Sequence, residues 1–178
     1  MNHQKSTDVA IVMGSESDLI VMSDACKLLD YFKITYFCTI ISAHRTPERL
    51  YNFAKNATHN GFKIIIAGAS GAAHLPGMIA SLTTLPVIGV PIKTTILGGQ
   101  DSLLSIVQMP KDVPVATVGI NNSFNAAMLA CRILSIESKD ISIKLSNYNL
   151  SKESEIMEKA TLLENKGHAE YLNQRVIL

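Results

Sequence analysis

The sequence predicts an α/β protein: a three-layer αβα sandwich on a five-stranded parallel sheet, flavodoxin-like or Rossmann-like, followed by a C-terminal helical arm. Three observations predict it. Short apolar runs of strand length alternate with amphipathic segments of helical spacing. The first run, Val9-Ala10-Ile11-Val12-Met13, is apolar without alternation, as a strand covered on both faces must be. Polar or glycine-rich segments follow the first three strands at their carboxyl ends, the edge at which open parallel sheets bind ligands.

The first strand spans residues 8–13 and stops at Gly14. Residues 17–31 follow with Leu19, Met22, Cys26 and Leu29 on one helical stripe. Residues 35–41 are β-branched and aromatic, the second strand. Residues 47–60 place Leu50, Phe53, Ala54 and Ala57 on one helical face; Pro47 suits the first turn and Gly61 closes the helix. The third, fourth and fifth strands are expected at residues 63–67, 86–90 and 113–118, with short helices near 76–82 and 101–108. Residues 125–136 are Ala-rich, with Ala126, Ala127, Ala130, Ile133 and Leu134 on one face. Right-handed crossovers then put helices on both faces of the sheet.

Residues 1–137 are expected to form one catalytic domain, and 138–178 a more polar helical extension. Ile156, Met157, Ala160 and Leu163 make a modest apolar stripe there. The extension packs either on its own domain or on a neighbouring subunit, and composition favours the neighbour. Hydrophobic residues are 47% of the 178 and charged ones only 17%, little polar cover for a compact monomer.

Composition also excludes classes of partner. A formal charge of +1 carries no bias toward nucleic acid or anionic membrane. With no Trp and five each of Tyr and Phe, a base-stacking platform is not expected. Cys26, Cys38 and Cys131 are odd in number and widely spaced, which reads as free thiols in a reducing cytoplasm. Residues 1–8 are polar and do not read as a signal peptide, and no apolar run approaches the ~20 residues of a membrane span.

The candidate chemistry lies in three strand-end loops. In Gly14-Ser15-Glu16-Ser17-Asp18, Ser15 and Ser17 can cap the following helix, and the same free N–H groups attract an anion such as phosphate. Asp18 would repel phosphate and suits ribose hydroxyls better. In Ser42-Ala43-His44-Arg45-Thr46-Pro47, Arg45 is a bidentate phosphate partner, and His44 can give and take a proton near neutral pH. In the third loop, from Gly68 to His74, small residues let a planar ligand approach the backbone. His74 either orients that ligand or caps a helix. A metal held by His44 and His74 is possible but unsupported, since no carboxylate or Cys joins them at ligand spacing. Cys38 has no positioned base, which argues against a thiol nucleophile. His3, His59 and His168 read as solvated.

Taken with Gly71-Ala72-Ala73-His74-Leu75-Pro76-Gly77-Met78, Pro86-Val87-Ile88-Gly89-Val90-Pro91 and the run from Asp101-Ser102-Leu103 to Gln108-Met109-Pro110, these loops resemble the N5-carboxyaminoimidazole ribonucleotide mutase family, also called the catalytic subunit of phosphoribosylaminoimidazole carboxylase. The resemblance covers residues 8–137. Arg45-Thr46-Pro47 is similar to the bacterial and plant mutase class; the animal carboxylase class usually has Lys after the His.

The resemblance implies a homo-octameric isomerase of de novo purine synthesis, with His44 as general acid and base and no metal or organic cofactor. It implies Ser15, Asp18, Ser42 and Arg45 at phosphate and ribose, and Ala69, Ser70, His74 and Leu75 around the base and its carboxylate. Four features depart from the family pattern. Ser70 and Asp112 stand where Gly is usual, Gly98 stands where a small polar residue is common, and Asn121-Asn122-Ser123-Phe124 is shorter than the usual glycine-rich segment. The rival readings are direct carboxylation of aminoimidazole ribonucleotide and a non-catalytic nucleotide or flavin module. A phospho-receiver is excluded, because the third strand ends in Ala67-Gly68 rather than an acceptor Asp.

Overall fold

The structure, a computed structural model, describes residues 7–175, with side chains through Asn173; His3 lies outside the described residues. Five parallel strands form one sheet in the order β2-β1-β3-β4-β5. They are β1 (Val9–Met13), β2 (Tyr36–Ile40), β3 (Ile64–Ser70), β4 (Val87–Ile92) and β5 (Ala116–Thr117). The connecting helices are α1 (Leu19–Phe32), α2 (Pro47–Asn56), α3 (Leu75–Ala80), α4 (Gln100–Val107) and α5 (Ser123–Ser135). The chain runs outward from β1 to β2, then returns past β1 to β3. The order therefore reverses between β1 and β3, and the crevice at that reversal is where doubly wound sheets take their ligands.

Side chains of alternate strand residues face opposite layers. Ala10, Val12, Ile65 and Ala67 join Leu50, Ala54, Leu75, Ile79 and Ile106 in one buried cluster. Truncating Leu50 or Ile65 to Ala would cost about 2–5 kcal/mol there. α1 covers the other face through Met22, Ala25, Leu28, Leu29 and Phe32. Leu19 does not belong to that stripe: it is 43% exposed. The chain enters α1 through a 3₁₀ turn at Glu16–Asp18, and this turn carries Asp18 inward instead.

Two strands differ from the sequence expectation. β5 is only two residues long, since Pro114 has no N–H for the ladder. β3 runs three residues further than predicted, pairing Gly68, Ala69 and Ser70 with Val90, Pro91 and Ile92. Gly68 permits this because α1 crosses closely: a Cβ there would lie 2.4 Å from the Met22 sulfur. Ala69 and Ser70 are thus fixed by the sheet rather than carried on a loop. α2 ends at Asn56, not residue 60, and turns lead on to Gly61 at φ +88°.

The chain divides into two compact units, the first running to Leu134 and the second from Ser135 onward. The second is helical over α6 (Lys139–Arg175), interrupted at Gly167, whose φ of 70° and ψ of 165° are not helical. Ion pairs such as Asp140–Lys144 line it, while Ile156 and Met157 are about 60% exposed and Leu163 is 42% exposed. No described helix is long and apolar enough to cross a membrane.

Candidate active site

The loops after β1, β2 and β3 enclose a cavity of about 330 Å³ at the reversal of strand order. Gly14 N–H donates to the Gly68 carbonyl (3.1 Å), tying the end of β1 to β3 at the cavity floor. Ser15, Asp18, Ser42, His44, Arg45, Ala69, Ser70, His74 and Leu75 all line it. Gly14, Ala43 and Ala72 line it too. Sequence reading placed all three in the site loops without giving any of them an individual role, because their side chains offer no polar group.

The β2–α2 loop is a self-braced turn. Ser42 N–H donates to Thr46 Oγ1 (3.1 Å), and Thr46 N–H and Oγ1 both donate to the Ser42 carbonyl (2.9 Å each). Pro47 then opens α2, where its missing N–H costs nothing. Ser42 Oγ accepts from Arg45 Nε (3.2 Å) and from Arg45 N–H (3.3 Å). Nε anchors the guanidinium, and no carboxylate pairs with it among the described residues, so its terminal nitrogens remain available to a bidentate anion.

His44 Nε2 lies 2.8 Å from His74 Nδ1, with the rings edge to face. His74 occupies the N-cap position of α3, yet its side chain makes no capping bond and turns to His44 instead. One proton must lie between the two nitrogens, so the neutral pair has two interchangeable tautomers. Accepting a third proton makes one ring imidazolium while the bond is kept. Such a pair can store and release a proton without rearranging.

Asp18 is 2% exposed. Its Oδ2 accepts the Ser15 N–H (3.0 Å), and its Oδ1 faces the Ser70 hydroxyl (3.5 Å). Burial raises its pKa, outweighing the hydrogen bonds that favour the carboxylate. Arg45, among the lining residues, gives the cavity a partner for an anion. No Cys lines the cavity, and burial lifts Cys26 to about 11 and Cys131 to about 12, so both stay protonated near neutral pH. His59 and His168 are exposed. Among the described residues no three His, Cys, Asp or Glu side chains gather as metal ligands.

A parallel flavodoxin-like sheet whose reversal point gathers Arg45 beside a hydrogen-bonded imidazole pair has the features of an enzyme site suited to an anionic ligand. The chain belongs to the AIR carboxylase family, which matches residues 8–155. It is 58% identical to the N5-carboxyaminoimidazole ribonucleotide mutase of Thermotoga maritima over 94% of this chain and 98% of that one. It is also 58% identical to the mutase of Pyrococcus horikoshii, over 93% and 94%. The crystal structure of Treponema denticola PurE superposes with a TM-score of 0.81 at 30% identity, covering 87% of this chain and 97% of that chain.

Proposed function

We propose that this protein is an isomerase that converts N5-carboxyaminoimidazole ribonucleotide to 4-carboxy-5-aminoimidazole ribonucleotide, a step of de novo purine synthesis. The observation that carries this reading is the His44–His74 pair set beside Arg45 in one cavity. Arg45, Ser15 and Ser42 hold the phosphate, and Asp18, which lines the same cavity, takes ribose hydroxyls. Ala69, Ser70, His74 and Leu75 surround the imidazole and its carboxylate.

Protonated His44 gives its proton to the exocyclic nitrogen as the N–COO⁻ bond breaks, leaving aminoimidazole ribonucleotide and carbon dioxide in the cavity. C4 attacks the carbon dioxide. Neutral His44 then removes the C4 proton, which restores ring aromaticity and the imidazolium. One proton leaves the histidine and one returns, so the enzyme ends as it began. Holding both fragments makes recapture effectively intramolecular, worth up to ~7–11 kcal/mol of barrier.

The chain works in the cytoplasm as a homo-oligomer, an octamer, with residues 138–178 reaching a neighbouring subunit. Exposed Ile143, Leu150, Ile156, Met157 and Leu172 on α6 support this, since that much apolar surface favours cover by another chain. Light scattering is expected to give about eight times 19.3 kDa; a stable monomer would overturn the assembly.

Supplying purified protein with the N5-carboxylated nucleotide, and separately with aminoimidazole ribonucleotide plus bicarbonate, tests the reaction. Efficient turnover of the first is expected. Turnover confined to the second makes the protein a direct carboxylase, and binding with turnover of neither makes it a non-catalytic module.

A further inference from the structure

Ser102 is one of three buried polar side chains among the described residues, with 0% exposure. It sits in the first turn of α4, and its hydroxyl is fully committed. It donates to the Ile92 carbonyl (2.6 Å) and accepts the Gly71 N–H (2.9 Å). Ile92 ends β4 and pairs in register with Ser70, the last residue of β3. The hydroxyl therefore closes the β3–β4 ladder at the point where the chain leaves β3 for the site.

Gly71 adopts φ +65°, and nothing lies within 4 Å of where its Cβ would be. With no side chain to pack, Gly71 depends on its backbone hydrogen bonds for its position. Its N–H is held by Ser102. Its carbonyl lies 3.3 Å from Ser105 Oγ, whose nearer acceptor is the Asp101 carbonyl (2.7 Å). Three residues beyond Gly71 comes His74, and through it the bond to His44.

We propose that Ser102, seconded by Ser105, is a positioning residue for the His44–His74 pair and acts through Gly71. This rests on the reading of His44 as the acid–base group. An Ala at position 102 would fill nearly the same space, so what it deletes is the bridge. A displacement of about 1 Å in a reacting group can cost ~100-fold in rate.

The test compares wild type, Ser102→Ala, Ser105→Ala and His74→Asn, with folding checked by circular dichroism and a cooperative melt. Three quantities are read: kcat and KM, the dissociation constant of 4-carboxy-5-aminoimidazole ribonucleotide by calorimetry, and the ¹⁵N shifts of the His44 and His74 rings. In Ser102→Ala, kcat should fall about 10- to 100-fold, with less loss in Ser105→Ala. Product affinity should fall less than kcat, because Arg45 and the loops after β1 and β2 are untouched. The His44 ring signals should move toward those of His74→Asn.

Unchanged ring signals overturn the proposal, whatever happens to the rate. Should Ser102→Ala fail to fold, Ser105→Ala decides on the same readouts. Wild type that shows no turnover, while the ring signals still respond to Ser102→Ala, would refute the assigned reaction and leave the positioning role standing.

Discussion

His44 Nε2 and His74 Nδ1 share a single proton across 2.8 Å, although 30 residues separate them in the chain. That bond fixes which His44 nitrogen is engaged and which is left for a ligand. Replacing His74 by Asn leaves His44 in its loop but changes its partner. The expected result is a kcat lower by about 10- to 100-fold with a much smaller change in KM, read by steady-state kinetics. A rise in KM at constant kcat would instead make His74 a simple ligand contact.

Arg45 predicts the opposite split. Its Nε is held by Ser42 Oγ, and the residue lines the cavity. A lost charge-assisted hydrogen bond is worth about 1.5–3 kcal/mol, so Arg45→Ala should raise KM by about 10- to 150-fold. Arg45→Lys should recover only part of this, since an ammonium lacks the fork. Unaltered KM in both variants would remove Arg45 from phosphate binding.

Asp18 gives a pH dependence of stability. Its pKa is raised, mainly by burial, so folding favours the protonated carboxyl. The favourable contribution is full below the ordinary carboxylate range and is lost as pH rises through the folded pKa. Near pH 7 the buried charge is then a net cost. Asp18→Asn removes that charge, while an amide oxygen still accepts the Ser15 N–H. Thermal melts should show the variant at least as stable as wild type at about pH 7.5, with its advantage shrinking toward about pH 4. A variant less stable by the same margin at every pH would contradict this.

Asp112 holds φ +70°, the left-handed region that favours glycine. Relieving the backbone strain should let Asp112→Gly stabilise the fold by up to about 1 kcal/mol, measured by urea denaturation. Gly98, at φ +63°, should tolerate Asn far better than Val for the same reason.

Much of this architecture is legible in the sequence. Apolar runs punctuated by Gly14, Gly61 and Pro47 mark the strands and helices, and the strand-end loops mark one ligand edge. The nine residues singled out from those loops surround a single cavity. What sequence reading could not supply depends on three-dimensional approach. The continuation of β3 to Ser70 needs Met22 packed over Gly68, and the turn of His74 toward His44 needs both loops in place. Ser102 stands within the quoted Asp101-Ser102-Leu103 stretch, but nothing in that stretch says that its hydroxyl reaches Gly71. The inward turn of Asp18, in place of Leu19, likewise follows from a 3₁₀ turn that spacing alone does not announce.

The central claim is that His44 moves the protons of the carboxylate shift. Ultraviolet-monitored turnover of N5-carboxyaminoimidazole ribonucleotide by wild type and His44→Asn tests it most directly. The account predicts a loss of at least ~100-fold in kcat for the variant, the low end for a general acid–base group. Near-full activity in His44→Asn would contradict it.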